Sequence, residues 1–149
     1  MIRLKNELAN VKTVAISGHI RPDGDCIGSC LGVWNYIQDN YPDIQADVYL
    51  EQIVSKFRFL KGADLVKTDC SEERNYDLFI SLDASDRERL GEAVKYLDTA
   101  KRSVCVDHHI TNPGFADENV IEATASSASE VLYGLLAPMK VDKDCAEAL

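Results

Sequence analysis

The chain contains no run of 18 apolar residues, and its opening Met1-Ile2-Arg3-Leu4-Lys5 lacks the apolar stretch of a secretion signal. A membrane-spanning helix and secretory export are therefore not expected. Five cysteines (Cys26, Cys30, Cys70, Cys105, Cys145) include no Cys-x-x-Cys pair. That excludes the common zinc spacings, and an odd count without an export signal predicts reduced thiols in a cytoplasmic protein. Positive charge is scarce: 16 Lys and Arg face 25 Asp and Glu, for a formal charge of −9. Such a surface argues against holding duplex DNA by neutralising its phosphates. It leaves room for a small phosphorylated substrate, because bound divalent cations reverse the local field. Internal repeats, low-complexity tracts and Pro/Ser/Gly-rich linkers are also missing. At about 100 to 200 residues per domain, the 149 residues predict one compact unit. Its 46% apolar and 28% charged residues are the proportions of a globular protein.

Short apolar runs alternate with helical periodicity. Val11 to Ser17 reads as a buried strand, followed by the turn-rich Arg21-Pro22-Asp23-Gly24-Asp25. Ile27, Cys30, Leu31 and Trp34 then fall at i, i+3, i+4 and i+7, one face of a helix that Pro42 ends. Ala46 to Leu50, Tyr76 to Leu82 and Arg102 to Val106 are further strands, and Ser55 to Leu60 a short helix. Leu90, Ala93, Val94 and Leu97 fit a helix behind a capping box, Ser85-x-x-Glu88. Ala128, Val131, Leu132 and Leu135 fit another behind Ser127-x-x-Glu130, and a last helix starts near Asp142. The pattern predicts an α/β, Rossmann-like fold: a mainly parallel sheet with helices on both faces. In such sheets ligands bind outside the carboxyl ends of the strands.

Those ends are where the acids and histidines collect. His19 closes the first strand, with Asp23 and Asp25 in the next loop; Asp83 closes another; Asp107-His108-His109 closes a third. All three histidines of the chain lie in these clusters, and parallel packing brings the three ends to one rim. Pro22 and Gly24 let the loop turn tightly, so Asp23 and Asp25 can face one side. Carboxylates crowded in this way repel unless cations neutralise them. Imidazole and carboxylate donors without thiolate favour manganese or a similar ion over structural zinc. Two such ions about 3.5 to 4 Å apart activate water and clamp phosphoryl oxygens. The residues thus predict a two-metal phosphoesterase. Glu130, at its capping-box position, reads as structural, and Cys26 and Cys30, one helical turn apart, as buried thiols. Arg87 and Arg89 follow Asp83 closely enough to reach a phosphate, and solvated helix charges explain them equally well.

Four ordered segments resemble the motifs of the DHH phosphoesterase superfamily. They are Gly18-His19-Ile20-Arg21-Pro22-Asp23-Gly24-Asp25-Cys26-Ile27-Gly28-Ser29, Ser81-Leu82-Asp83-Ala84-Ser85-Asp86-Arg87-Glu88-Arg89-Leu90-Gly91, Asp107-His108-His109, and Ala125-Ser126-Ser127-Ala128-Ser129-Glu130. Within the superfamily they are most similar to the branch that degrades very short oligoribonucleotides and removes the 3′-phosphate of adenosine 3′,5′-bisphosphate (pAp). The resemblance implies two Mn²⁺ ions, with Mg²⁺ or Co²⁺ as alternatives. His19 and Asp23 would hold one, Asp25 and His108 the other, and Asp83 would bridge both. Asp107 would orient a histidine, and His109 would face the scissile phosphate. The implied partner is a short single-stranded oligoribonucleotide or phosphorylated nucleotide, with neither duplex DNA nor membrane; oligomeric state stays open, a homodimer of the full-length protein included.

The family's next motif, with an Asp completing the second metal site, and its DHHA1-like substrate-binding domain would follow Leu149. The expectation is therefore that residues 1–149 are a DHH catalytic domain truncated at its C-terminus, and poorly active alone. Rival readings are an inorganic pyrophosphatase, a non-catalytic nucleotide-binding module, and a flavodoxin-like domain with incidental acids.

Overall fold

The computed structural model of the protein describes residues 3–136 and 143–149. Five strands form one sheet in the order β2-β1-β3-β4-β5, every neighbouring pair parallel. They are β1 (Thr13–Ser17), β2 (Gln45–Tyr49), β3 (Leu78–Leu82), β4 (Arg102–Asp107) and β5 (Glu118–Ile121). The helices are α1 (Leu4–Glu7), α2 (Gly24–Asn40), α3 (Val94–Thr99), α4 (Ala128–Leu136) and α5 (Lys143–Ala148). The start of the last helix near Asp142 lies outside the described residues. None of the described helices is long and apolar enough to cross a membrane.

Side-chain alternation along the strands divides the core. Val14, Ile16, Leu78, Ile80, Leu82, Val104 and Val106 pack with α2, α4 and α5 on one face. Ala15, Tyr49 and Phe79 pack on the other with Leu90, Ala93, Tyr96 and Leu97. A sheet covered on both faces must be apolar on both, which is why its central strands read as unbroken apolar runs. On the second face three buried tyrosines bring polar tips. Tyr49 stacks on Tyr96 with centroids 4.4 Å apart. The Tyr76 hydroxyl donates to Asp47 (2.7 Å), so burial leaves it satisfied.

The sequence reading differs from the structure in five places. No helix runs continuously from the Ser85 capping box; a 3₁₀ segment (Arg87–Ala93) precedes α3. Its cap is Asp86, which accepts from the Arg89 N–H at 3.0 Å, while the Ser85 hydroxyl turns to Asp86. Gly91, at φ 60° and ψ −137°, interrupts the segment in a region open essentially to glycine. Ser55 to Leu60 forms only a 3₁₀ turn, Ser55–Phe57. Edge strand β5 and the one-turn α1 went unread, because Glu-Asn-Val-Ile has too little apolar alternation and four residues too little periodicity. At the second capping box, Ser127 does accept from the Glu130 N–H (3.1 Å), but the Glu130 carboxylate accepts from Ser126 instead.

Topology positions the site. The strand order reverses beside β1, with α2 on one face and the 3₁₀–α3 segment on the other, so a crevice opens outside the ends of β1 and β3. Close helix approach steadies α2, which carries the first site loop. A Cβ on Gly28 would stand 2.3 Å from the Ala148 carbonyl oxygen, and one on Gly32 would stand 2.6 Å from Leu149 Cδ2. Gly28→Ala is expected to cost about 1–3 kcal/mol, as overpacking against backbone does. Urea denaturation checks this: stability equal to the parent would show that α5 does not dock on α2 in solution.

Candidate metal centre

The site is built on the ends of β1, β3 and β4 and the first turns of α2 and α4. Asp83 lies at its middle, 2% exposed and at φ 58°. Asp and Asn tolerate this left-handed conformation better than most residues, because their short polar side chains suit it. The Asp83 N–H still bonds the Val106 carbonyl (3.0 Å), so the carboxylate is held at the very end of the sheet.

Its two oxygens serve two sides. Oδ2 is 3.5 Å from His19 Nε2, which is also 3.5 Å from Asp23 Oδ1. Oδ1 is 3.4 Å from His108 Nε2, which in turn is 3.6 Å from Asp25 Oδ2. The structure thus brings together all five residues named as metal ligands from the sequence, in two half-sites sharing Asp83. Asp83 Oδ1 is buried and, among the described residues, accepts no hydrogen bond. A buried carboxylate oxygen without a donor is costly, and a cation would relieve that cost. Asp83, Asp107, His108 and His109 also offer ligand-type atoms all within 4.8 Å of one another.

Neighbouring groups orient these side chains. His19 Nδ1 donates to the Ile20 carbonyl (2.7 Å), leaving Nε2 for the cluster. An outer hydrogen bond of this kind selects the ring face presented to a metal. Asp23 caps α2, accepting from the Cys26 N–H at 3.0 Å. Asp25 caps α4 across the chain: its oxygens accept from the Ala128 N–H (2.9 Å), the Ser129 N–H (3.0 Å) and the Ser129 hydroxyl (2.9 Å). Asp107, fully buried, accepts from His109 Nδ1 at 2.7 Å and from Asn112 Nδ2 at 2.8 Å. Sequence reasoning passed over Asn112, whose Asn-Pro-Gly setting looks like an ordinary turn. Cys26 is buried as expected, yet its sulfur belongs to a second ligand-type cluster, with His19 and Asp83. Among the described residues the Glu130 carboxylate bonds only to Ser126 in the preceding turn, in keeping with a structural role.

Charge crowding shows in the titration of the two central groups. Burial pushes the Asp83 carboxyl up; the His19 hydrogen bond opposes this, and Asp25 and Asp23 add repulsion. His19, hydrogen-bonded to Asp83, is raised to about 9, so the metal-free pair holds a proton at neutral pH. The clustered residues line a cleft of about 320 Å³ together with Ser85, Arg89, Ser126 and Ser127. A neighbouring cavity of about 300 Å³ shares His19 and runs between Tyr49, Lys67 and Leu90. Donor set, orphaned oxygen and outer hydrogen bonds fit a pair of divalent cations.

Comparison with known proteins identifies the family to which the chain belongs. The chain is 28% identical over 158 aligned residues to a probable bifunctional oligoribonuclease and PAP phosphatase NrnA of Streptococcus mutans, covering 100% of the chain and 48% of that protein. It is 31% identical over 125 residues to the bifunctional oligoribonuclease and PAP phosphatase NrnA of Bacillus subtilis, covering 83% and 37%. The chain spans less than half the length of these relatives. A crystal structure of an exopolyphosphatase-related protein from Bacteroides fragilis shares the fold, with TM-score 0.84 and 22% identity over 97% of the chain and 46% of that protein. Residues 13–149 match the description "DHH family, N-terminal domain". The chain belongs to the DHH phosphoesterase family, and what it carries is the family's N-terminal domain.

Proposed function

We propose that this domain is the catalytic part of a manganese-dependent phosphoesterase hydrolysing short oligoribonucleotides, pAp, or both. The observation that carries the reading is the placement of His19 and His108 on opposite oxygens of one buried Asp83. His19, Asp23 and Asp83 would hold one ion; His108, Asp25 and Asp83 the other. When bound, the ions supply charge neutralisation at the phosphoryl group and activation of a water. The activities in the relatives' names support the substrate class. The proposal includes a second, substrate-binding domain outside residues 1–149 that contributes to selectivity.

The remaining roles belong to the chain itself. Asp107 fixes the His109 ring through Nδ1, leaving Nε2 available to meet a phosphoryl or leaving-group oxygen. Asn112 holds the other Asp107 oxygen and also donates to the Ala84 carbonyl (3.1 Å), so the orienting acid is locked to the end of β3. Asp25 is held by the first residues of α4 through its hydrogen bonds to Ala128 and Ser129. The adjoining 300 Å³ cavity offers space for a nucleoside attached to the phosphate.

Asp83→Asn tests the centre cleanly, because Asn keeps the volume and tolerates the same φ. It is expected to retain the fold but lose the rise in melting temperature that Mn²⁺ gives the parent; an equal rise in both proteins would remove Asp83 from the site. Metal binding should also depend on pH. The His19 proton is present below about 9 and has to leave when Nε2 accepts a metal. One proton released corresponds to about tenfold tighter binding per pH unit on the way up to that pKa, and a plateau above it. Calorimetry at pH 6.5, 7.5 and 8.5 measures this, and a flat profile would contradict the role of His19. For activity, in the protein extended through the proposed second domain, Mn²⁺-dependent phosphate release from pAp is expected to exceed that from pyrophosphate. His109→Ala should lower kcat by about 10²–10⁴-fold with Mn²⁺ affinity intact. Preference for pyrophosphate, or no Mn²⁺-dependent hydrolysis, would overturn the reading.

A further inference from the structure

Two arginines follow Asp83, and the structure treats them differently. Arg87 Nη2 donates to both oxygens of Asp98, at 2.8 and 2.9 Å, and so belongs to a surface ion pair. Arg89 lines the metal-centre cleft, and among the described residues its guanidinium has neither an ion pair nor a hydrogen bond. Arg89 is exposed, so water solvates its guanidinium. In a chain of net charge −9, with Asp23, Asp25 and Asp83 in the same cleft, what matters is that its charge faces that cleft uncommitted.

The carboxylates and the Arg89 backbone are each held by other groups. Asp23 is committed to the α2 N-terminus and His19, Asp25 to the α4 N-terminus and His108, and Asp83 lies between the two histidines. Each of the three has partners among the described residues, and Arg89 is not one of them. The Arg89 main chain is bonded at both ends: its N–H donates to Asp86 (3.0 Å), and its carbonyl accepts from the Ile20 N–H (2.7 Å). Two residues on, Gly91 at φ 60° packs so closely that a Cβ would stand 2.7 Å from Ile20 Cγ2. The 3₁₀ segment is thereby joined to the loop carrying His19. Arg89 is set at the rim of the cleft with its whole donor fork unspent. A guanidinium offers five N–H donors in a planar array that matches phosphate oxygens two at a time.

We propose that Arg89 is a phosphate-binding residue of this centre, contacting the phosphoryl group of the substrate while Arg87 takes no part. The inference rests on the metal-centre reading above and adds the residue that grips the anion from the protein side. Lysine would keep the charge but lose the paired geometry, so the two substitutions separate a fork from a point charge.

The test is binding of inorganic phosphate to the Mn²⁺-loaded chain, by calorimetry, in the parent and in Arg89→Ala, Arg89→Lys and Arg87→Ala. Mn²⁺ affinity, measured in the same titrations, serves as the control for folding and for the metal centre. Arg89→Ala is expected to weaken phosphate binding at least about tenfold, the size of a lost charge-assisted pair. Arg89→Lys should recover part of the loss, and Arg87→Ala should match the parent, with Mn²⁺ affinity unchanged throughout. Phosphate affinity unaffected by Arg89→Ala, an equal loss in Arg87→Ala, or no phosphate binding by the Mn²⁺-loaded parent overturns this inference while leaving the metal centre standing. A parent chain that binds no Mn²⁺ overturns both.

Discussion

The structure around the site depends on one buried carboxylate. Asp83 is placed at the end of β3 at a backbone angle few residue types tolerate, and it stands between two histidines from different strand ends. Burial raises the cost of its charge. Without a cation, the compensation available is the proton that His19 holds. Removing one partner of such a buried pair leaves a charge uncompensated. A cation would replace that proton and fill the coordination of the orphaned Oδ1.

Helix termini hold the remaining acids of the cluster in place. Asp23 caps α2, and Asp25 caps α4 from a position more than a hundred residues earlier in the chain. Each carboxylate therefore already accepts backbone N–H groups at a helix N-terminus, which favours negative charge there. Hydrogen bonding lets these acids stay close together. On the far side Asn112 and Asp107 hold the His109 ring in the same manner, through a carboxylate whose two oxygens are both occupied.

Much of the fold was legible because its signals were local. Apolar runs such as Leu78–Leu82, flanked by helical periodicity, announce a sheet covered on both faces, and all five strands prove parallel. The failures were local too. Ser85-x-x-Glu88 has the composition of a capping box, yet Asp86 caps instead, because Gly91 forces a short 3₁₀ turn where a continuous helix was read. Strand β5 is an edge strand with a single buried residue, Val120, so little of its pattern reflects burial. Asn112 acts through a contact five residues back that no motif marks.

From the sequence alone came the alternation of strands and helices, the clustering of every histidine with acids at three strand ends, and the family resemblance. These follow from short-range periodicity and residue chemistry, which the chain carries at each position. Only the tertiary structure decided which oxygen of Asp83 faces which histidine, that Asp25 caps α4 while facing His108, and that among the described residues Arg87 is paired and Arg89 is not. Those facts depend on groups up to about a hundred residues apart meeting within a few ångströms. Their meeting is set by strand order and helix docking, which no local pattern encodes.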